Sequence, residues 1–232
     1  MGVIPARSGS KGLINKNMLQ INGFSLIAWV STQLAKNTRI EKKIITTDSD
    51  LYGQEAITHG VSYEYKRDEN LSSDEASIFN VMEDIFRRYQ ECDYVVLLQP
   101  TQPFVTQSTL DRVLDVILQE QPTSVITSYF LNGSSHPSWA FEEDSHGHVK
   151  WCDHENHFKR RQDLPALKRR AGSVYAFSRS AISNYCNYGV SPYGNKVRSI
   201  GVGEIEAISI DTEFDYLWAK TIAEYKKIKL GL

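Results

Sequence analysis

The sequence predicts an α/β protein whose mainly parallel sheet is covered by helices on both faces. Short apolar runs alternate along the chain with segments in which apolar residues recur at helical spacing. The runs are apolar throughout, as is typical of strands buried on both faces. Strands joined through helices form right-handed βαβ units, and such units make a parallel sheet.

Five strands are predicted before residue 130, at 2–4, 43–47, 61–65, 94–98 and 124–129. Helical patterns separate them, at 26–34 after Gly23, from Leu51 to about Gly60, at 78–89 with Asp74 as the expected cap, and at 110–117. Pro100 and Pro103 end the fourth strand, because proline has no amide donor for a sheet.

The pattern changes near residue 130 to polar, aromatic and histidine-rich sequence. A hairpin is predicted there, pairing 139–141 with 149–151 about a turn near Gly147. The α/β pattern resumes with strands at 173–177 and 208–210 and closes with a helix over 213–229. We therefore predict one α/β domain, residues 1–130 and 171–232, interrupted by an inserted lobe, residues 131–170.

Composition excludes several classes of protein. The 232 residues are 41% hydrophobic and 23% charged with a net charge of −2, which is typical of globular proteins and disfavours fibrous, disordered and nucleic-acid-binding chains. No apolar stretch reaches the roughly 18 residues of a membrane span, and no charged leader precedes the first apolar run. The three cysteines are widely spaced and are expected to be reduced, so a cytoplasmic protein is predicted.

The loop after the first predicted strand has the composition of a phosphate site. Residues 7–12 (RSGSKG) combine flexible backbone, hydroxyls and cations. Backbone N–H groups in such a loop can cradle phosphate oxygens while the cations offset their charge. The loop matches neither GxxxxGK[ST] nor GxGxxG, so solvated turn residues are the alternative interpretation.

Several motifs, in order, resemble those of the CMP-sialic acid synthetases, or acylneuraminate cytidylyltransferases. They are IPARSGSKG at 4–12 with NKN at 15–17, Arg67 with Asp74, LLQPT at 97–101 with Pro103, RRQD at 160–163, GSVY at 172–175, and IDTE at 210–213 with Asp215. The resemblance implies the three-layer Rossmann-like fold of nucleotide-diphospho-sugar transferases. It also implies that CTP and a nonulosonic (sialic-acid-like) acid are converted into the CMP-sugar and pyrophosphate.

The resemblance further implies a homodimer in which the inserted lobe reaches into the active site of the partner. Aromatic side chains of the predicted hairpin, namely Trp139, Phe141 and Trp151, would supply its contact surface. No nucleic-acid or membrane partner is expected.

On the nucleotide side, the resemblance assigns CTP binding to Arg7, Ser10, Lys11, Lys16, Asn17, Arg67, Ser77 and Gln99. Arg7, Lys11 and Lys16 should face the triphosphate, and Asn17 should read the cytosine. Cations suit this place because negative charge spreads over the phosphoryl group during transfer and moves to the leaving pyrophosphate. Ser77 would replace a family serine whose position Ile78 occupies.

On the sugar side, the resemblance assigns Gln99, Arg161, Arg169, Gly172 and Tyr175. The amide of Gln99 can donate and accept, which suits a group that contacts both substrates. Arg161 would bind the sugar carboxylate bidentately and so orient the anomeric hydroxyl for attack. The catalytic assignments are Arg7, Lys11, Lys16, Gln99, Arg161 and Asp211.

The metal assignment rests on Asp211. The family usually places two aspartates two residues apart to hold Mg²⁺, but here the pair is Ser209 and Asp211. Mg²⁺ commonly uses one or two carboxylates together with phosphate and water, so Asp211 alone is expected to hold it. Ala171 replaces a family asparagine on the sugar side, and the sequence leaves open which nonulosonic acid is used.

Two alternatives stay open from the sequence. Asp48 and Asp50 form the DxD pattern of metal-dependent GT-A-like glycosyltransferases, although three-residue matches are common. Ser209 also motivates a catalytically weak homologue that binds CTP without turning it over.

Overall fold

A six-stranded sheet is the centre of the computed structural model, which describes residues 1–9, 12–131, 133–152 and 160–230. The strands are β1 (Gly2–Pro5), β2 (Gln20–Ile21), β3 (Phe24–Ser25), β4 (Lys43–Thr46), β5 (Tyr94–Leu98), β6 (Ser124–Phe130), β7 (Phe141–Glu143), β8 (Val149–Trp151), β9 (Lys168–Ser178) and β10 (Val197–Gly201). The helices are α1 (Leu26–Lys36), α2 (Asp50–Thr58), α3 (Ile78–Arg88), α4 (Gln107–Glu120), α5 (Arg179–Tyr188) and α6 (Glu213–Tyr225).

The main sheet has the order β10-β6-β9-β5-β1-β4. β9 runs antiparallel to both of its neighbours, and the other neighbouring pairs are parallel. The prediction of a mainly parallel sheet is therefore confirmed. The antiparallel strand was not predicted, because the pattern of apolar residues carries no information about strand direction.

Helices cover both faces of the sheet and give three layers. Successive side chains of a strand point to opposite faces, so Ile4 belongs to one apolar cluster and Val3 to the other. The first cluster includes residues of α1, α2 and α4, and the second includes residues of α3 and α5. The predicted α/β architecture is thus borne out by the packing.

Each of the six α-helices in the described chain begins at a serine or threonine. The side-chain oxygen of this residue accepts a hydrogen bond from a backbone N–H of the first turn, which satisfies a donor that the helix leaves unpaired. The six caps are Ser25, Ser49, Ser77, Thr106, Ser178 and Thr212. The prediction that Asp74 caps α3 is wrong, because Ser77 does so and Asp74 pairs with Arg7.

Two predicted strands are wrong in detail, and three strands, β2, β3 and β10, were not predicted. The 61–65 segment forms no strand. Two isolated bridges occur there, from Ile44 to Ser62 within the segment and from Thr47 to Lys66 just after it. The 208–210 segment is no strand, although its Ile210 N–H donates to the Thr101 carbonyl at 2.9 Å. β10 was missed because it is an edge strand whose residues are mostly exposed, so its sequence lacks an apolar run.

A hairpin is present as β7 and β8, although its first strand begins at Phe141, two residues later than predicted. The rings of Phe141 and Trp151 meet edge to face across it, with centroids 5.4 Å apart, and both side chains are exposed. β9 begins at Lys168 and pairs with the end of β6, so the predicted boundary at residue 170 lies within a strand of the main sheet.

Arg179 ties the start of α5 to the end of α3. Its guanidinium donates to the carbonyl oxygens of Phe86, Tyr89, Gln90 and Cys92 at distances between 2.7 and 2.9 Å. It also lies 4.9 Å from the centre of the Phe86 ring. A single cation thus bonds carbonyls at the end of α3 and in the turn just beyond it.

α6 carries a stripe of exposed apolar side chains at helical spacing, namely Phe214, Leu217, Trp218 and Tyr225. Within the described residues, no helix combines the length and apolar character needed to cross a membrane.

Candidate active site

Two adjoining cavities open at the carboxyl ends of β1 and β5. The first has a volume of 330 Å³ and the second 780 Å³. Gln99, which follows β5, and Asp211, which precedes α6, line both cavities and so mark their boundary. Open α/β sheets bind their ligands at this edge.

The first cavity is lined by three cations, Arg7, Lys16 and Arg67. Arg67 is buried, with its Nε donating to Ser72 Oγ at 3.0 Å and its Nη1 to the Thr46 carbonyl at 3.4 Å. Burial lowers the pKa of Arg67, although an arginine pKa starts so high that the group keeps its charge at neutral pH. A buried cation beside a cavity favours an anionic ligand there.

Carboxylates pair with the other two cations of this cavity. Arg7 Nη1 lies 2.6 Å from Asp74 Oδ1, and Lys16 Nζ lies 2.9 Å from Asp211 Oδ1. Asn17 is buried below them and its Nδ2 donates to the Arg7 carbonyl at 3.1 Å. The fold therefore brings most of the residues that were predicted to bind CTP together at one cavity.

Hydrogen bonds from two side chains to its carboxylate, and one from its backbone N–H to Asp215, fix the position of Asp211. Lys16 bonds one carboxylate oxygen and the Ser209 hydroxyl donates to the other at 2.9 Å. Burial alone would raise the pKa of Asp211, but the bonds from Lys16 and Ser209 outweigh it and hold the pKa below its ordinary value. Asp215 accepts from the backbone N–H groups of Asp211 and Thr212 at 3.1 and 2.8 Å, so it fixes this segment at the start of α6.

The second cavity has a wall of arginines and tyrosines. Arg169, Arg170, Tyr175 and Tyr193 line it together with Gln102 and Ala171. Arg170 donates to the Tyr193 hydroxyl, and its guanidinium carbon lies 5.6 Å from the Tyr175 ring centre and 5.8 Å from that of Tyr193. Guanidinium groups bind carboxylates, and aromatic rings pack on apolar faces of a ligand.

Some predicted residues lie elsewhere. Ser77 uses its hydroxyl to cap α3 by accepting from Phe79 N at 3.1 Å, while its neighbours Ala76 and Ile78 line the first cavity. Arg161 begins a short 3-10 turn, packs its side chain against Gly133 and lines neither cavity. Ser10 and Lys11 lie outside the described residues.

Sequence reasoning missed several residues that line the second cavity, Gln102, Arg170 and Tyr193 among them. Gln102 belongs to the QPTQP string whose first residue, Gln99, was selected. Arg170 belongs to the same basic run as Arg169. Tyr193 lies in the loop between α5 and β10, where no local pattern indicates a site.

Asp48 and Asp50 do not form a shared site. Asp48 accepts from the Ser8 N–H at 2.8 Å and from the Ser8 hydroxyl. Burial opposes ionisation of this carboxyl, but the bonds from Ser8 outweigh it and lower the pKa of Asp48. Asp50 accepts from the Tyr63 hydroxyl at 2.7 Å and pairs with Lys66. Neither carboxylate lines the two cavities, which removes the structural basis for a DxD glycosyltransferase site.

Known proteins resemble this chain over nearly its whole length. The CMP-N,N'-diacetyllegionaminic acid synthase of Legionella pneumophila is 29% identical over 226 residues, covering 95% of this chain and 94% of that protein. The pseudaminic acid cytidylyltransferase of Campylobacter jejuni is 29% identical over 182 residues, covering 75% of each. A solved CMP:2-keto-3-deoxy-manno-octonic acid synthetase complexed with CTP shares the fold, with a TM-score of 0.74 and 18% identity over 97% of this chain and 98% of that one.

The sequence profile of the family described as "Cytidylyltransferase" matches residues 1–231. The chain therefore belongs to the cytidylyltransferase family.

Proposed function

We propose that the protein activates a nonulosonic acid with CTP and releases the CMP-sugar and pyrophosphate. The observation that carries this proposal is the pair of adjoining cavities that share Gln99 and Asp211. One cavity is cationic, as a triphosphate requires, and the other has arginines and aromatic rings, as a sugar acid requires. Two substrates bound side by side can react directly with each other.

The cations of the first cavity account for binding of the triphosphate. Arg7 and Lys16 now pair with the carboxylates of Asp74 and Asp211, and phosphate oxygens would replace these partners. Arg67 is already buried and fixed by Ser72 and Thr46, so it needs no rearrangement to meet the ligand. Fixed positive groups stabilise the charge that develops as phosphoryl transfer proceeds.

The second cavity accounts for orientation of the sugar acid. Arg169 and Arg170 would bind its carboxylate, and Gln99 at the boundary can donate to one substrate while it accepts from the other. The anomeric oxygen then attacks the α-phosphorus, the bond from that phosphorus to the pyrophosphate oxygen breaks, and the anomeric proton is lost. The leaving pyrophosphate or water takes up this proton, so the step balances without a side-chain base.

The carboxylate of Asp211 and the hydroxyl of Ser209 fit a Mg²⁺ ion as oxygen donors, and phosphate oxygens of the substrate would complete the site. Among the described residues, no group of three or more His, Cys, Asp or Glu side chains is placed so that it could hold a metal ion. Mg²⁺ usually keeps waters and uses one or two carboxylates with substrate phosphates, which matches a single Asp211. When bound, the ion would supply Lewis-acid stabilisation of charge on the phosphates.

We also propose a cytoplasmic homodimer assembled through the inserted lobe. The exposed rings of Phe141 and Trp151 support the lobe as a contact surface. Arg161, which lines neither cavity of its own chain, would then act in the site of the partner. The free thiols of Cys92, Cys152 and Cys186 support a reducing compartment.

The reaction is tested by incubating the protein with CTP, Mg²⁺ and a panel that includes N-acetylneuraminic, legionaminic and pseudaminic acids. Pyrophosphate should be released with at least one of them. Titration calorimetry with CTP separates the alternatives, because a weak homologue would bind CTP and release no pyrophosphate. Absence of pyrophosphate release with every sugar acid would overturn the proposal, and CTP binding without release would identify the weak homologue instead.

The role of Asp211 is tested with Asp211→Asn, which keeps the shape of the side chain and removes its charge. Turnover should fall at least about tenfold and should recover in part at high Mg²⁺, since one carboxylate of the metal site is lost. Asp50→Asn is the matched control, because Asp50 is an exposed carboxylate outside both cavities. Equal effects of the two changes would contradict the assignment.

The dimer is tested by analytical ultracentrifugation of Trp151→Ala and of Trp218→Ala. Both tryptophans are exposed, but the first lies on the lobe and the second on α6. The lobe variant should dissociate at concentrations where the wild type and the α6 variant remain dimers. Dissociation of the α6 variant alone would place the interface on α6.

A further inference from the structure

β9 leaves regular pairing where it borders the second cavity. A single residue of β6, Thr127, lies between the paired positions Ile126 and Ser128, whereas four residues of β9, 171–174, lie between their partners. A bulge of this kind bends the strand and leaves some of its backbone groups without partners in the sheet. The bent stretch separates Arg170 from Tyr175, two residues of the cavity wall.

Side chains satisfy the backbone groups of this bulge. The Thr127 hydroxyl donates to the Val174 carbonyl at 3.1 Å and accepts from the Val174 N–H at 3.2 Å. On the side of the bulge nearer the arginines, Gln102 Nε2 donates to the Ala171 carbonyl. Gln102 is buried in the turn after β5, so it links the bulge to the most central part of the sheet.

Gly172 shows how closely the Gln102 amide packs on the bulge. Its φ of +86° lies in the left-handed region, which side chains rarely adopt. A Cβ at this position would lie 2.8 Å from Gln102 Nε2 and 3.1 Å from the Tyr175 hydroxyl. The glycine therefore lets the amide reach the Ala171 carbonyl.

The other amide atom of Gln102 is not satisfied. Gln102 Oε1 is buried and has no hydrogen-bond partner among the residues that the structure describes. An unpaired buried acceptor is unfavourable, and such groups in native proteins are often kept for function. Three other buried side-chain oxygens share this condition, on Ser31, Thr46 and Tyr65, but Gln102 is the one of the four that lines either cavity.

We propose that Gln102 is a positioning residue for the sugar acid. It holds the Ala171 carbonyl and thereby fixes the bulge, so that Arg169, Arg170 and Tyr175 present one rigid wall to the substrate. This inference rests on the proposed function, because it takes the second cavity as the site of the sugar acid. Residues that orient a metal ligand commonly change affinity or activity about tenfold or more when they are replaced, and we expect an effect of that size for Gln102.

The test uses Gln102→Met, which keeps a similar volume and removes the N–H donor. The KM for the accepted nonulosonic acid should rise about tenfold, while the KM for CTP stays unchanged. Gln102→His returns an N–H donor to the position and should bring the sugar KM back toward the wild-type value.

Gln107→Met is the matched control. Gln107 Nε2 also donates to a backbone carbonyl, that of Gln33 at 2.7 Å, but the residue lines neither cavity. This variant should leave both KM values unchanged even if it lowers the Tm. A rise of both KM values together in Gln102→Met, or an equal sugar KM in the two methionine variants, would overturn the inference.

Hydrogen exchange separates failure of the inference from failure of the proposed function. Backbone amides of residues 169–173 should exchange faster in Gln102→Met than in the wild type or in Gln107→Met, whatever the substrate is. If the wild type turns over no nonulosonic acid but this exchange pattern is found, the proposed function fails while the structural role of Gln102 stands. Unchanged exchange would reject that role.

Discussion

Replacing Arg179 by alanine should destabilise the fold by about 3 kcal/mol. The guanidinium bonds four backbone carbonyls around the end of α3, those of Phe86, Tyr89, Gln90 and Cys92. Three of these bonds are partly buried, and a hydrogen bond of this kind contributes about 1 kcal/mol net. The fourth, to Gln90, is exposed, so water can replace it and it adds little.

Urea unfolding measures this loss in the free energy of unfolding. For a chain of this size, about 3 kcal/mol corresponds to a fall in Tm of roughly 6–12 °C. Arg179→Lys keeps the charge but reaches fewer carbonyls, so it should lose about half as much. Arg39→Ala is the control, because Arg39 makes exposed ion pairs with Asp111 and Asp115 that contribute at most about 1 kcal/mol. A loss in Arg179→Ala no larger than that of the control would refute the reasoning.

Three further predictions concern the cavities and the loop beside them. Ser209→Asp places a second carboxylate next to Asp211 and should lower the Mg²⁺ concentration for half-maximal activity about tenfold. An unchanged Mg²⁺ titration would indicate that Asp211 and phosphates already define the site. Gly172→Ala forces a side chain into a backbone conformation with a φ of +86° and against Gln102, so it should lower the free energy of unfolding in urea by about 1–3 kcal/mol. A wild-type unfolding midpoint would show that the bulge tolerates a Cβ. The pKa of Asp48 lies below its ordinary 3.8, so its stabilising effect is complete above that value and is lost as pH falls through the lowered pKa. Asp48→Asn should therefore unfold at a Tm that depends less on pH below about pH 4, and parallel pH profiles would contradict this.

The sequence predicted the fold best where apolar residues alone decide the structure. β1, β4, β5 and β6 are buried on both faces, so their apolar runs are continuous and their ends are close to those predicted. Strand direction depends instead on the connection. The chain enters β9 from the inserted lobe, whose described residues form no helix that covers the sheet, and local periodicity cannot reveal that reversal.

Short motifs selected residues that the fold places at one cavity. Arg7, Lys16, Asn17, Gln99 and Asp211 all line the first cavity, and their roles stay predictions. The roles of Gln102 and Tyr193 depend on contacts between segments far apart in the chain, Gln102 with Ala171 and Tyr193 with Arg170. Such contacts are fixed by the path of β9 and the loop before β10, which a single sequence does not specify.

The turn that follows β5 connects the two halves of the site. Within it, Gln99 lies between the cavities, the Thr101 carbonyl accepts from Ile210 beside Asp211, and Gln102 holds Ala171. Because this one turn contacts both walls, a substitution that displaces it is expected to disturb both cavities at once. Redesign of the range of accepted sugars should therefore begin at outer positions of the second cavity such as Ser191 and Val197, and leave the turn intact.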